Sequence, residues 1–264
     1  MEPNTLSRLD RLEELSLPPQ FCIGGKNGES LSVLDEISEL SCLTSLHIYS
    51  RESKSSELEL EFPILSEFHL FVGERRGKWP MKVSSVTKSI QLFNHDLIEA
   101  YKILIEKAEE VILCGTNFTG SSIGIRDTEE FFNLRYMKIK NCKAIEYLAR
   151  MSLSDEIQES LHHSKPFSNL IKLKIKNCPK LKYLFCNSIG RCLDKLEELK
   201  IENCPTMEEV VLQKSTNDGN IIIMSKLRIM ILIDLPRLIH FYKGNIFSGQ
   251  IQPLFNQMVR LLNL

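Results

Sequence analysis

Between Phe167 and Val210 the apolar positions recur in one fixed register. Leu170, Leu173, Ile175, Cys178, Leu181 and Leu184 return as Leu196, Leu199, Ile201, Cys204, Met207 and Val210. An upstream copy runs Leu134, Met137, Ile139, Cys142, Ile145 and Leu148. Within each copy the second and third members alternate with polar residues, which sends them to one face of a strand and their neighbours to the other. With the phase set, weaker copies extend it in both directions. Leu12-x-x-Leu15-x-Leu17, Leu43-x-x-Leu46-x-Ile48 and Leu65-x-x-Phe68-x-Leu70 fit well. Thr87-x-x-Ile90-x-Leu92 and Ala108-x-x-Val111-x-Leu113 are poorer. Downstream, Leu227-x-x-Met230-x-Leu232 continues through Leu235, Leu238 and Phe241.

Such self-similarity marks a leucine-rich-repeat solenoid, in which each unit is one strand and a return segment. The expected fold is α/β: a curved horseshoe with a parallel sheet on its concave face and an irregular or helical convex side. One repeat cannot bury its apolar face alone, so neighbours must stack to make a continuous core. Residues 1–264 are expected to form a single array of about nine irregular repeats. These start near 12, 43, 65, 87, 108, 134, 170, 196 and 227. The typical unit is about 20 to 29 residues, so the longer intervals carry insertions. Ser152 to His163 is expected as an amphipathic helix capped by Ser152 or Ser154. Leu97 to Glu110 is a second, with Leu97, Tyr101, Leu104, Ile105 and Ala108 on one side, running into the weak strand at Val111. The first repeat begins almost at Met1, and Leu261-x-x-Leu264 reads as the opening of another unit. No polar cap is visible at either end, so a fragment or truncated relative of a longer protein is expected.

Composition narrows the function. A hydrophobic fraction of 43% and a charged fraction of 25% are those of a folded soluble protein. A net charge of -1 supplies no global pull toward nucleic acid or acidic membranes. No apolar run is long enough to span a bilayer, and Met1 to Asp10 lacks the order of a secretory signal. Of the eight cysteines, Cys142, Cys178 and Cys204 share one repeat position, where a small buried group is needed. They are read as reduced thiols in a cytoplasmic protein.

The pattern L-x-x-L-x-I-x-x-C-P-x-L-x-x-L resembles the C-terminal repeats of plant intracellular nucleotide-binding leucine-rich-repeat disease-resistance proteins of the coiled-coil class. The stretch Phe167 to Phe185 carries the likeness most strongly. Leu34 to Ile48, Phe62-Pro-Ile-Leu and Lys88-Ser-Ile-Gln-Leu add to it, so that it covers nearly the whole chain. The resemblance implies recognition of a pathogen effector or a guarded host protein, and restraint of the receptor's nucleotide switch. No phosphate-binding loop, kinase-2-like aspartate run, nucleotide-binding domain or coiled-coil segment is present. The chain is thus expected to serve recognition or restraint only. A leucine-rich-repeat substrate adaptor of a ubiquitin ligase, or another non-enzymatic scaffold, is the alternative; the adaptor would require an F-box-type helical segment before Leu12, and none is found.

No enzymatic grouping of nucleophile, base and orienter stands out, and no cofactor or metal is expected. Gly73-Glu-Arg-Arg-Gly77-Lys78-Trp79 has three residues between its glycines instead of four, and Trp where a P-loop needs Ser or Thr. Gly115 to Gly124 reads as turns. Cys178, Cys186, Cys192 and Cys204 lack the paired spacing of zinc sites, and His162-His163 is an isolated pair. The outward strand positions hold more promise. Arg135, Lys138 and Lys140 on one strand neighbour Lys172, Lys174 and Lys176 on the next. Strands lie about 4.8 Å apart, and like charges at that spacing repel by roughly 1 kcal/mol per pair in water, less with salt. Glu197, Glu198, Lys200 and Glu202 on the following strand offer partial compensation. Two readings stay open: a solvated face that aids solubility, or a contact for an acidic protein partner. Ile229, Ile231 and Ile233 face outward on the next strand, either covered by Phe247 to Leu264 or presented to a partner.

Overall fold

The computed structural model describes residues 6, 8–17, 33–50, 64–73, 85–94, 101–116, 131–149, 166–186, 192–212 and 224–242. The chain divides into two compact units, Met1–Asn117 and Phe118–Leu264. In the first, β1 (Glu14–Ser16), α1 (Val33–Ser38), β2 (Ser45–Ser50), β3 (Glu67–Gly73), β4 (Lys88–Phe93), α2 (Lys102–Lys107) and β5 (Glu110–Cys114) follow in order. Its five strands lie side by side in sequence order, each parallel to the next. Leu46, Ile48, Phe68, Leu70, Ile90, Leu92, Val111 and Leu113 are fully buried beneath them. Burying each such side chain is worth about 1.5–3 kcal/mol, and only stacked neighbours supply the cover.

The register departs from the repeat phase at one place. Aligned by repeat, Phe68 would sit beside Ile90; instead Leu70 pairs with Ile90 and Val72 with Leu92. The offset is two residues, so every side chain keeps its face. Thr87, which opens the poor fourth copy, is exposed while Val86 is buried, so this copy has no apolar anchor at its first position. β3 and β4 are also buried on both faces, outward residues His69, Phe71, Ser89 and Gln91 included. Gly73 ends β3 at φ 95°, and a Cβ there would stand 1.8 Å from the Phe93 carbonyl oxygen. Its place in the chain is set by this close approach, not by phosphate chemistry.

The second unit contains β6 (Tyr136–Lys140), β7 (Lys172–Lys176), β8 (Phe185–Cys186), β9 (Glu198–Glu202), β10 (Glu209–Leu212), β11 (Ile229–Ile233) and β12 (His240–Tyr242). β6, β7, β9 and β11 form one parallel ladder, with Met137, Leu173 and Leu199 in register and Ile139, Ile175, Ile201 and Leu232 behind them. Each strand is entered through the same turn. The amide of Leu134 donates to Phe131, that of Leu170 to Phe167, Leu196 to Leu193 and Leu227 to Met224. Phe131 and Phe167 stack with centroids 5.2 Å apart. Strands contributed by successive repeats and paired in parallel are the leucine-rich-repeat α/β fold that the pattern predicts.

The return segments differ from expectation. Where irregular or helical structure was expected, β8, β10 and β12 form a second parallel sheet, with Val211 between Phe185 and Tyr242. Phe185, Cys186, Val211, Phe241 and Tyr242 are all buried, so these segments are apolar on both faces, as covered parallel strands are. The helix expected over Leu97 to Glu110 is described as α2 only, because Ala108 is already extended and Glu110 belongs to β5. Its Leu104 and Ile105 are buried, as is Ala108 beyond its end. Residues 97–100 and the helix expected over 152–163 lie outside the described residues, as does the segment 247–264.

Candidate docking face

Two ladders of side chains hold β6, β7 and β9 in line. Asn141, Asn177 and Asn203 follow these strands with φ of 57°, 56° and 52°, a left-handed turn that asparagine tolerates better than most residues. The Asn177 amide donates to Asn141 Oδ1 at 2.8 Å, and that of Asn203 to Asn177 Oδ1 at 3.0 Å. One residue further, the thiols of Cys142, Cys178 and Cys204 are fully buried and donate to the carbonyls of Lys140, Lys176 and Glu202. Contact with the flanking Cys142 and Cys204 thiols, followed by burial, pushes the Cys178 thiol up, away from the reactive thiolate. The described cysteines are thiols, none in a disulfide.

The outward rows follow from that register. Tyr136 lies beside Lys172, Lys138 beside Lys174 and Lys140 beside Lys176. Arg135 precedes β6 and is not in the row; its guanidinium lies 5.6 Å from the Tyr136 ring centroid, within cation–π range. On the other side of β7, Lys172 and Lys174 reach Glu198 at 3.8 and 2.6 Å. Lys176 and Lys200 reach Glu202 at 2.7 and 2.8 Å. Each glutamate therefore serves two lysines. The hydrogen bond from Lys174 holds Glu198 below the usual carboxylate range, and those from Lys176 and Lys200 bring Glu202 down to about 2. The like-charge repulsion expected on β7 is thus relieved by β9, while the three strands together keep an excess of cations. Lys138 is exposed, Lys140 is half-buried, and neither makes an ion pair among the described residues.

Next to this charged field the chemistry changes. β11 pairs with β9 so that Ile229, Ile231 and Ile233 lie beside Glu198, Lys200 and Glu202. Ile229 and Ile233 are 46% and 45% exposed, and Ile231 is half-buried. The segment expected to cover this row, residues 247–264, lies outside the described residues. Arg228, just before β11, donates to Glu197 at 3.0 Å. Along this face paired ions grade into apolar side chains.

Sequence reasoning placed these lysines and isoleucines but missed the asparagine ladder. The signal was present: Asn precedes the cysteine in all three strong copies. It also missed the lysine-to-glutamate pairing partner by partner, because Lys176 and Glu202 are far apart in the chain and meet only through strand register.

Strand order and register together define a leucine-rich-repeat fold. Residues 150–252 match the family model described as plant disease resistance protein RPS2-like, leucine-rich repeats. The chain is similar to that family over this stretch, which is less than half its length. No curated protein and no solved structure matches the chain. No helix among the described residues is long and apolar enough to cross a membrane.

Proposed function

We propose that the chain is the protein-recognition part of a plant immune receptor of the intracellular nucleotide-binding, coiled-coil class, drawn from its C-terminal repeats. In this reading residues 1–264 act as one array in the cytoplasm, by binding and not by catalysis. The partner is a pathogen effector, a guarded host protein, or the receptor's own nucleotide-binding module, whose switch the repeats restrain. The observation that carries the reading is the outward face of β6, β7, β9 and β11. Its cation excess suits an acidic surface, and its exposed isoleucines give the apolar area that a stable contact needs. The match of residues 150–252 to plant disease-resistance repeats supports the same class.

The test pairs the full chain with the nucleotide-binding module of a plant disease-resistance protein of this class and measures affinity by calorimetry. Reversing Lys138 and Lys140 together to Glu leaves the internal ion pairs of β7 and β9 intact. That variant should weaken binding by at least about tenfold, or roughly 1.4 kcal/mol. Ile229→Asp should weaken it separately. Unaltered affinity in both variants, with the wild type binding, would exclude this face as the contact.

A further inference from the structure

His47, Glu67 and His69 meet on the outward face of β2 and β3. His47 and His69 are direct partners across the parallel ladder, with ring centroids 4.5 Å apart and planes edge-on at 89°. Glu67 precedes His69 by two positions and so shares its face. Its Oε1 lies 3.4 Å from His47 Nε2 and 3.5 Å from His69 Nε2. Two donors bound to one tetrahedral zinc at about 2.1 Å stand about 3.4 Å apart. The carboxylate-to-imidazole spacings are therefore already those of a shared metal, and one donor atom from each residue lies within 4.8 Å of the others.

The surroundings favour ligation over a simple ion pair. His47 Nε2 is buried and makes no hydrogen bond, despite its short approach to Glu67. His69 is 3% exposed, and its Nδ1 lies 2.8 Å from Ser89 Oγ on β4. In the tautomer whose Nδ1–H donates to Ser89, the Nε2 lone pair faces the Glu67 carboxylate, where a cation can lie between them. An imidazole whose second nitrogen is held by an outer hydrogen bond is the usual form of a metal ligand. Two residues along the same face, Tyr49 and Phe71 stack at 4.5 Å and wall one side of the cluster with apolar surface.

We propose that His47, Glu67 and His69 form a zinc site that clasps β2 to β3, with the fourth position left to water or to a side chain of a binding partner. Two imidazoles and one carboxylate are a zinc donor set, and they discriminate against magnesium and calcium, which want oxygen alone.

The full chain, reduced with a phosphine and stripped of metal by chelator, is titrated with zinc by calorimetry and with cobalt by absorption. Zinc should bind one per chain and raise the melting temperature. Bound cobalt should show d–d bands without an intense thiolate charge-transfer band. His47→Ala and Glu67→Gln, both at partly exposed side chains, should each weaken zinc binding at least about tenfold, and Ser89→Ala by less, while circular dichroism stays that of the wild type. His69 is too deeply buried for His69→Ala to be the deciding variant. The proposal is overturned if the folded wild type takes up no zinc, if His47→Ala and Glu67→Gln bind it as the wild type does, or if cobalt reports thiolate ligands.

Discussion

At the scale of single residues, Asn177 is the middle member of the asparagine ladder. It donates to Asn141, accepts from Asn203, and holds a φ of 56°. Replacing it with Ala removes both hydrogen bonds and leaves in the left-handed region a residue that tolerates it less well than asparagine. The expected loss is about 1–3 kcal/mol in urea unfolding, with Asn177→Gly costing distinctly less because it keeps the backbone freedom. An equal loss for Ala and Gly would mean that the side-chain ladder alone matters. Glu202 makes a second residue-level case. Its carboxyl is depressed from 4.5 to about 2 by Lys176 and Lys200. A depressed carboxylate stabilises the fold in its charged form, so its contribution is whole above about pH 4.5, declines as pH falls, and is gone near pH 2. The side-chain carboxyl signal of Glu202 in an NMR titration should move near pH 2, and Lys176→Ala should raise that midpoint. A midpoint in the ordinary carboxylate range would show the bridges absent in solution.

At the scale of elements, the junction of β3 with β4 has no room for a side chain where β3 ends. Gly73 ends β3 against the carbonyl of Phe93, with room for no β-carbon. Gly73→Ala must shift backbone, not merely a flexible side chain, and also adopts an unfavourable φ. We expect destabilisation of at least about 1–3 kcal/mol, seen as a lower urea midpoint with an unchanged slope. A substitution within 0.5 kcal/mol of the wild type, the size of an ordinary surface change, would show that β3 can end elsewhere. The same junction carries the two-residue register offset. The offset is tolerated because β3 is seven residues long and supplies Phe68, Leu70 and Val72 in a row of alternate positions. A shift by two then still finds an apolar partner for Ile90 and Leu92.

For the molecule as a whole, the contrast lies between a charged field and an apolar row on one sheet face. Their contributions to partner binding separate by salt. The deficit of the Lys138 and Lys140 double reversal should shrink as ionic strength rises, since the Debye length falls from about 10 Å at 0.1 M to about 3 Å at 1 M. The deficit of Ile229→Asp should persist, because loss of apolar burial is not screened. Identical salt behaviour for the two variants would mean that neither region contacts the partner directly. The zinc clasp proposed for β2 and β3 is tested without any partner.

The run of residues by itself determined where the strands of the repeat pattern fall and which way their side chains point. Leu173 and Ile175 had to go inward and Lys172, Lys174 and Lys176 outward, because alternation is a local property of an extended chain. The recurring cysteine likewise announced a buried position. What lies beside what was decided only by the tertiary structure. Lys176 meets Glu202, His47 meets His69, and Leu70 meets Ile90 because strands from separate repeats settle into one register. That register depends on how each intervening segment returns the chain. The segments between the strong copies vary in length and carry no common pattern, so the lateral neighbours could not be read from them. The second sheet of β8, β10 and β12 was hidden for the same reason. Its short apolar pairs, Phe185-Cys186 and Val210-Val211, have no period of their own and become strands only when a neighbour is there to pair with.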